Sequence, residues 1–155
     1  MKDLGMVRHI VPILAAQNLA STTVCPHVAM KKYESAQFIV ALGDLGTADY
    51  TLTVTASAAT AGSSSTALSF KYRVTAAAGT DTLGDLSAAV TSLVLTNTSY
   101  DNMTIVIDVD ANELTAAKPY AGITLTRGGS ATAYIAVTAL LKPRYPQATN
   151  DGALT

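Results

Sequence analysis

Two runs of strict apolar and polar alternation, separated by little but Ala, Ser, Thr and Gly, occupy residues 50–74 and constrain this chain more than any other feature. In the first run Tyr50, Leu52, Val54 and Ala56 fall on one face and Thr51, Thr53, Thr55 and Ser57 on the other, the period of a half-buried strand. In the second, Leu68, Phe70, Tyr72 and Val74 alternate with Ser69, Lys71 and Arg73. The connection over 59–66 is long for a tight turn, so the pair predicts a hairpin with a mobile, solvated loop. Threonine suits the outer face, being a good strand former whose hydroxyl water or a partner can satisfy.

The same period recurs along the chain. Residues 33–42, YESAQFIVAL, predict a strand that starts polar and becomes buried, and 100–110 a strand with Met103, Ile105, Ile107 and Val109 on one side. Residues 121–127, a turn at Gly128 and Gly129, and 131–141 predict a closing hairpin. Residues 83–95 are ambiguous: Leu83, Leu86, Ala89, Val90 and Leu93 fit a helical stripe, whereas the end of the segment alternates, giving a short helix or turn that leads into a strand. Six or more strands with little helix predict a single-domain, all-β antiparallel sandwich or barrel. The expected organisation is an N-terminal arm over 1–23, a β domain over 24–141 and a C-terminal tail over 142–155, where Pro143 and Pro146 cannot continue a central strand. A chain of 155 residues can bury a core without disulfides or metals.

Charge narrows the function. Ten basic against eleven acidic residues give no whole-molecule field to attract nucleic acid or an anionic membrane. Eight of the acidic residues, from Asp44 to Glu113, lie in the middle of the chain, and the ends are basic, a pattern that would let the ends dock on an acidic partner. The lone Cys25 excludes an internal disulfide and fits an intracellular origin. The start, MKDLGMVRHIVPILAA, has the basic, apolar and small-residue order of a secretory signal, but Arg8, His9 and Pro12 interrupt it, which predicts a retained arm. No segment reaches the ~18 uninterrupted apolar residues of a membrane span.

Catalytic constellations fail one by one. The histidines are His9 and His27, and no Ser, Asp or Cys stands in a nucleophile-elbow context. Cys25 and His27 could supply two zinc ligands but have no second pair to complete a tetrahedral site, so a buried thiol beside a capping or exposed imidazole is the expectation. Asp108, Asp110 and Asn112 have the opening spacing of a calcium loop, yet Glu113 stands where glycine is needed and Pro119 where a bidentate glutamate is needed. Acidic residues at a strand end turning into a loop account for them. The glycine turns at 43–46 and 127–130 have no following helix or P-loop lysine. The expectation is no catalytic residue, no cofactor and no metal: a structural or binding protein rather than an enzyme.

The order of MKDLG, VPILAA, KKYESAQFIVAL, a Thr-rich strand pair, a terminal apolar strand and LKPRYPQA resembles small virion proteins of tailed bacteriophages, commonly encoded near the major capsid protein. The matching segments are 2–5, 33–42 and 134–146; the middle, 56–102, departs in length and composition. The resemblance implies a head decoration, or cement, protein that binds the outside of an expanded capsid and stabilises it. It further implies the major capsid protein as partner, a homotrimer or other homo-oligomer, neither nucleic acid nor membrane, and a place in the virion after assembly in the host bacterial cytoplasm. A neck, head-tail joining or tail component is the alternative within that group. With 27 Ala and 22 Thr but few charges, the composition independently suits a module packed into a lattice. The expected partner interface is Leu4, Val7, Arg8, Ile10, Val11, Ile13 and Leu14 of the arm with Lys142, Arg144 and Tyr145 of the tail. A competing reading makes the segment from Arg8 to Leu14 the first strand of the sheet. A second function class is a carbohydrate-binding β-sandwich that would use exposed tyrosines such as Tyr100 and Tyr120 and the acidic loops near Asp108.

Overall fold

The computed structural model describes residues 7–47, 49–130, 132–145 and 152–154. Alternation along the chain becomes two antiparallel sheets whose apolar faces meet. The strands are β1 (His9–Leu19), β2 (Thr23–Val24), β3 (Val28–Ala29), β4 (Tyr33–Leu42), β5 (Tyr50–Ser57), β6 (Thr66–Ala67), β7 (Tyr72–Val74), β8 (Leu93–Leu95), β9 (Thr104–Asp110), β10 (Tyr120–Arg127) and β11 (Ala133–Pro143). One sheet has the order β1-β11-β4-β9-β7. The other is built on the long pair β10 and β5, with β2 and β3 sharing the far side of β10 and β6 and β8 sharing the far side of β5.

With β2 and β3 taken as one broken strand, and β6 and β8 as another, the two orders are those of a jelly roll. Neighbours in sequence mostly sit in opposite sheets, and neighbours in a sheet come from distant parts of the chain. β7 is an extra edge strand beside β9. The all-β sandwich expected from the alternation is the fold found.

The core follows from period two. β5 turns Tyr50, Leu52, Val54 and Ala56 inward, β10 turns Ala121, Ile123 and Leu125, and β4 turns Ala36, Phe38, Val40 and Leu42. β9 answers with Ile105, Ile107 and Val109, and Met103, half-buried, precedes the strand. Tyr50 is fully buried because its hydroxyl donates to the Leu19 carbonyl oxygen at 2.7 Å, which meets the requirement of a buried phenol for a partner.

The connections differ from the expected hairpins. Only Thr66 and Ala67 fold back on β5; the chain then crosses, and β7 pairs with β9 in the other sheet. The second alternating run therefore has its apolar side in the same core, but from the opposite layer. β10 and β11 likewise do not pair: β10 lies against β5 and β11 lies between β1 and β4, so the turn at Gly128 and Gly129 links two sheets. The Gly128 amide there donates to the Asp49 carbonyl at 2.9 Å. Period two specifies which face is buried, but it is the same for either sheet.

The helical stripe over 83–95 is not realised. Leu83 and Leu86 stand 41% and 50% exposed, the segment runs extended beside β7, and only Leu93–Leu95 becomes a strand. Helical turns occupy Asn97–Tyr100 and Ala111–Glu113 instead. The second of these is capped by Asp110, whose carboxylate accepts from the Asn112 amide at 2.8 Å, with Glu113 reaching back to the Asp110 amide. That capping box accounts for the acidic spacing at the end of β9.

The expected arm over 1–23 is also corrected. Residues 1–6, and with them Leu4, lie outside the described residues, and His9–Leu19 is an edge strand paired with β11. Pro12 is accommodated because an edge strand can dispense with one amide donor. Register shifts on either side of Leu14 mark a bulge, which is why the consecutive Ile13 and Leu14 are both buried. The tail over 142–155 begins inside β11, which runs to Pro143, and Ala153 is buried with its carbonyl accepting from the Ala29 amide at 2.8 Å. Among the described residues no helix is long and apolar enough to cross a membrane.

Candidate functional site

The two outer faces of the sandwich differ in chemistry. On the six-stranded sheet Thr51, Thr53, Thr124 and Thr126 form a hydroxyl-bearing outer face as expected, but Thr55 and Ser57, expected to be solvated with them, are buried, Thr55 bonded to His27 and Ser57 to the Ser63 carbonyl. On the five-stranded sheet the outward residues form cross-strand rows. One row runs Ile10, Leu140, Gln37, Asp108; the next Pro12, Thr138, Ile39, Val106, Arg73; a third Ala136, Ala41, Thr104. Ile10 is 47% exposed, and Leu140, Ile39 and Val106 are half-buried in one another. The solvated side of an antiparallel sheet is ordinarily polar. Here Ile10 and Leu140 in one row and Ile39 and Val106 in the next form a diagonal aliphatic band flanked by Gln37 and Thr138, an apolar area of the kind found at protein interfaces.

The polar surroundings are specific. At one end Lys142 pairs with Glu34 at 2.8 Å, at the other Tyr134 is 57% exposed, and Gln37 of the interior β4 donates to Asp108 of β9 at 2.9 Å. The exposed ion pair is worth under about 1 kcal/mol and marks the boundary of the apolar area rather than holding the fold.

The residues expected as the interface divide. Ile10 is on the aliphatic face, Lys142 on its rim, and Val7, 43% exposed, just ahead of β1. Arg8 is half-buried beside His9, whose register partner is Leu141. Arg144 is anchored by its Nε donating to the Tyr33 carbonyl at 3.0 Å, and Tyr145 is 77% exposed. Val11, Ile13 and Leu14 are removed from the set: they are buried in the chain's own core. Ile39, Val106 and Leu140 were missed, although the unbroken apolar run Phe38-Ile39-Val40-Ala41-Leu42 leaves the outward side of β4 without a polar residue and could have signalled the face.

His27 occupies a site of its own on the threonine side. Its ring is fully buried between Gly122 of β10 and Gly62 of the β5–β6 loop, where an added Cβ would stand 2.6 Å from ring atoms at either glycine. Nδ1 donates to the Cys25 carbonyl at 3.0 Å, and in the neutral ring that burial favours Nε2 accepts from the Thr55 hydroxyl at 2.8 Å. The loop is thereby pinned rather than free: the His27 amide donates to Thr60, Ser57 to Ser63, and Lys118 to Ser64 and Thr66. Burial pushes the Cys25 thiol up to about 12, which keeps it protonated and unreactive at neutral pH.

Burial also holds the His27 imidazole below 6.5, with the bond to the Cys25 carbonyl opposing by less. The folded chain then takes up a proton less readily than the unfolded one. The stability that neutral His27 contributes is complete above pH 6.5 and is lost as pH falls from there toward the folded-state value. Denaturant midpoints should fall on acidification through this window, and His27→Gln should flatten the slope; an unaltered slope would assign the effect elsewhere. His9, also lowered by burial, adds in the same direction.

The tyrosines named for sugar binding are not a platform. Burial and then the neighbouring Tyr72 hydroxyl push Tyr100 up to about 12, and Tyr100 packs against the core. Tyr120 lines a groove at the start of β4 with Lys31, Lys32 and Pro119. Comparisons with protein-family models, with curated proteins and with solved structures gave no match for this chain.

Proposed function

We propose that this is a structural virion protein of the head-decoration type, which seats the aliphatic face of its five-stranded sheet on the outside of an expanded tailed-phage capsid and stabilises the shell. The observation that carries the reading is that face: Ile10, Ile39, Val106 and Leu140 are gathered from four strands into one apolar area flanked by polar residues. An area of this kind is recovered energetically when another protein covers it. Jelly rolls recur in viral capsid proteins and in lectins, a fold-level analogy that agrees with the reading but does not by itself select it. Each seat is small, and many symmetric copies acting together reinforce a shell.

The test is co-sedimentation of the purified protein with expanded capsids lacking it, with unexpanded shells as control. Saturable binding to expanded shells alone is expected. Ile39→Glu, which places a charge at the centre of the face, should weaken binding by about 30-fold or more. Thr126→Glu, on the opposite face, should leave binding unchanged and so control for added charge. Binding of Ile39→Glu at wild-type strength would sink the assignment of the face. Failure to bind either shell would move the protein to a neck, head-tail joining or tail position.

A further inference from the structure

We infer that two other surface features are halves of one contact between copies of this chain, a loop on one copy entering a groove on the next. The inference rests on the reading as an assembly protein but uses neither the aliphatic sheet face nor any capsid contact.

The groove lies where β4 begins and β9 ends. Met30, Ala111, Leu114 and Pro119 give it apolar walls, Lys31 and Arg144 flank it, and its volume is about 540 Å3, within the range of roughly 300–1,000 Å3 typical of binding clefts. Arg144 is fixed there by its bonds to Tyr33 and, through its amide, to the Lys32 carbonyl. An occupant must therefore be apolar in the middle and acidic at its flanks.

The chain displays such a segment at the other level of the molecule. Leu83 and Leu86, 41% and 50% exposed, alternate with the exposed Asp81 and Asp85 in a segment held rigidly along β7. The Gly84 amide donates to Val74 at 2.8 Å, the Ser87 amide to Tyr72 at 2.9 Å, and Arg73 to the Gly84 carbonyl at 2.8 Å. Two leucines on an ordered segment, presented beside two carboxylates, are the apolar and charge complement of the groove.

The loop cannot serve its own groove. Leu83 bridges to Thr75, whose amide bonds to Thr104 at the start of β9, whereas the groove begins at Ala111 beyond its end. At about 3.3 Å per residue that is about 20 Å along a rigid strand from the level of Leu83, and about 13 Å from that of Leu86, whose neighbour Ser87 bonds to Tyr72 opposite Ile107. The partner must be a second copy, and because different surfaces meet, the contact is head-to-tail and closes into a ring when its rotation allows.

Sedimentation velocity of the free protein over a range of concentrations tests this. The wild type should associate into a species of fixed mass. Leu86→Asp should weaken association by on the order of tenfold or more. Lys31→Glu and Asp85→Lys should each weaken it, and the two together should restore it. All of these side chains are exposed or half-exposed, so unchanged thermal unfolding confirms that folding is intact. A monomeric wild type, association indifferent to Leu86→Asp, or a double variant no better than either single one overturns the contact. Leu86→Asp keeps the sheet face, so its retention on expanded shells separates this contact from the proposed function: lost association with shell binding preserved is the expected pair of results.

Discussion

Phe38→Ala is expected to cost about 3–5 kcal/mol of folding free energy, since it truncates a large aromatic side chain in a core that cannot fully collapse around the void. Phe38 is wholly buried at the centre of β4, with Ala139 of β11 on one side and Ile107 of β9 on the other in register. Alanine is already one of its two lateral neighbours, so the remaining side chains have little bulk with which to refill the space. For a chain of this size the loss corresponds to a fall of about 6–20 °C in the thermal midpoint. Against a typical total of roughly 5–15 kcal/mol the variant approaches the threshold of folding. Its sequence neighbour Ile39 supplies the control: the side chain points to the opposite face, and Ile39→Ala should move the midpoint far less. Equal losses at the two positions would refute the inward and outward assignment on which the aliphatic face depends.

Gly122→Ala should be, with Gly62→Ala, among the most damaging single-methyl additions in the described residues, costing about 2–6 kcal/mol. The new Cβ would stand 2.6 Å from the His27 ring, and the ring cannot retreat because Gly62 closes on its other side. Overpacking of that kind costs about 1–3 kcal/mol, and displacing the imidazole from Cys25 and Thr55 would strand buried polar atoms at about 1–3 kcal/mol more. Since the loop over 58–65 rests on the same ring, limited proteolysis should cut it earlier in the variant than in the wild type. A denaturation midpoint within error of the wild type would show that the clamp yields at no cost.

The strands that were legible are those whose alternation is one-sided. Tyr33–Leu42 and Thr104–Asp110 bury every second residue across a shared register, so sequence period and structure coincide. Pairing was less legible than strand identity. Period two reports that Leu68 to Val74 has an apolar side, but not that the chain crosses to the other sheet before β7, because both inner faces present the same aliphatic surface. The helical stripe at Leu83 and Leu86 misled for a related reason: spacing measures where leucines would fall on a helix, and here they stay exposed on an extended segment.

The proposed contact surface was half legible. Ile10 and Lys142 belong to exposed surface, while the bulge at Leu14 takes Ile13 and Leu14 inward together, a break in alternation that no count of apolar residues foresees. The His27 clamp had a signal in the isolated Gly122 within a strand, since such a glycine marks a close approach of another group. The identity of that group lay 95 residues earlier, beyond any local pattern.

The pairing of β1 with β11 sets a schedule for biosynthesis. His9 meets Leu141 and Leu19 meets Ala133, so β1 waits for β11 before it gains its neighbour, and β4 waits for β11 as well. Nothing resembling the finished five-stranded layer can form on the nascent chain until Pro143 has emerged. Folding is therefore dominated by distant closures, in the slow class for chains of this size. A product lacking β11 would leave the facing edges of β1 and β4 unpaired and prone to aggregate. Quality control is built into the topology: only a chain that extends through β11 acquires the layer that we propose meets the shell.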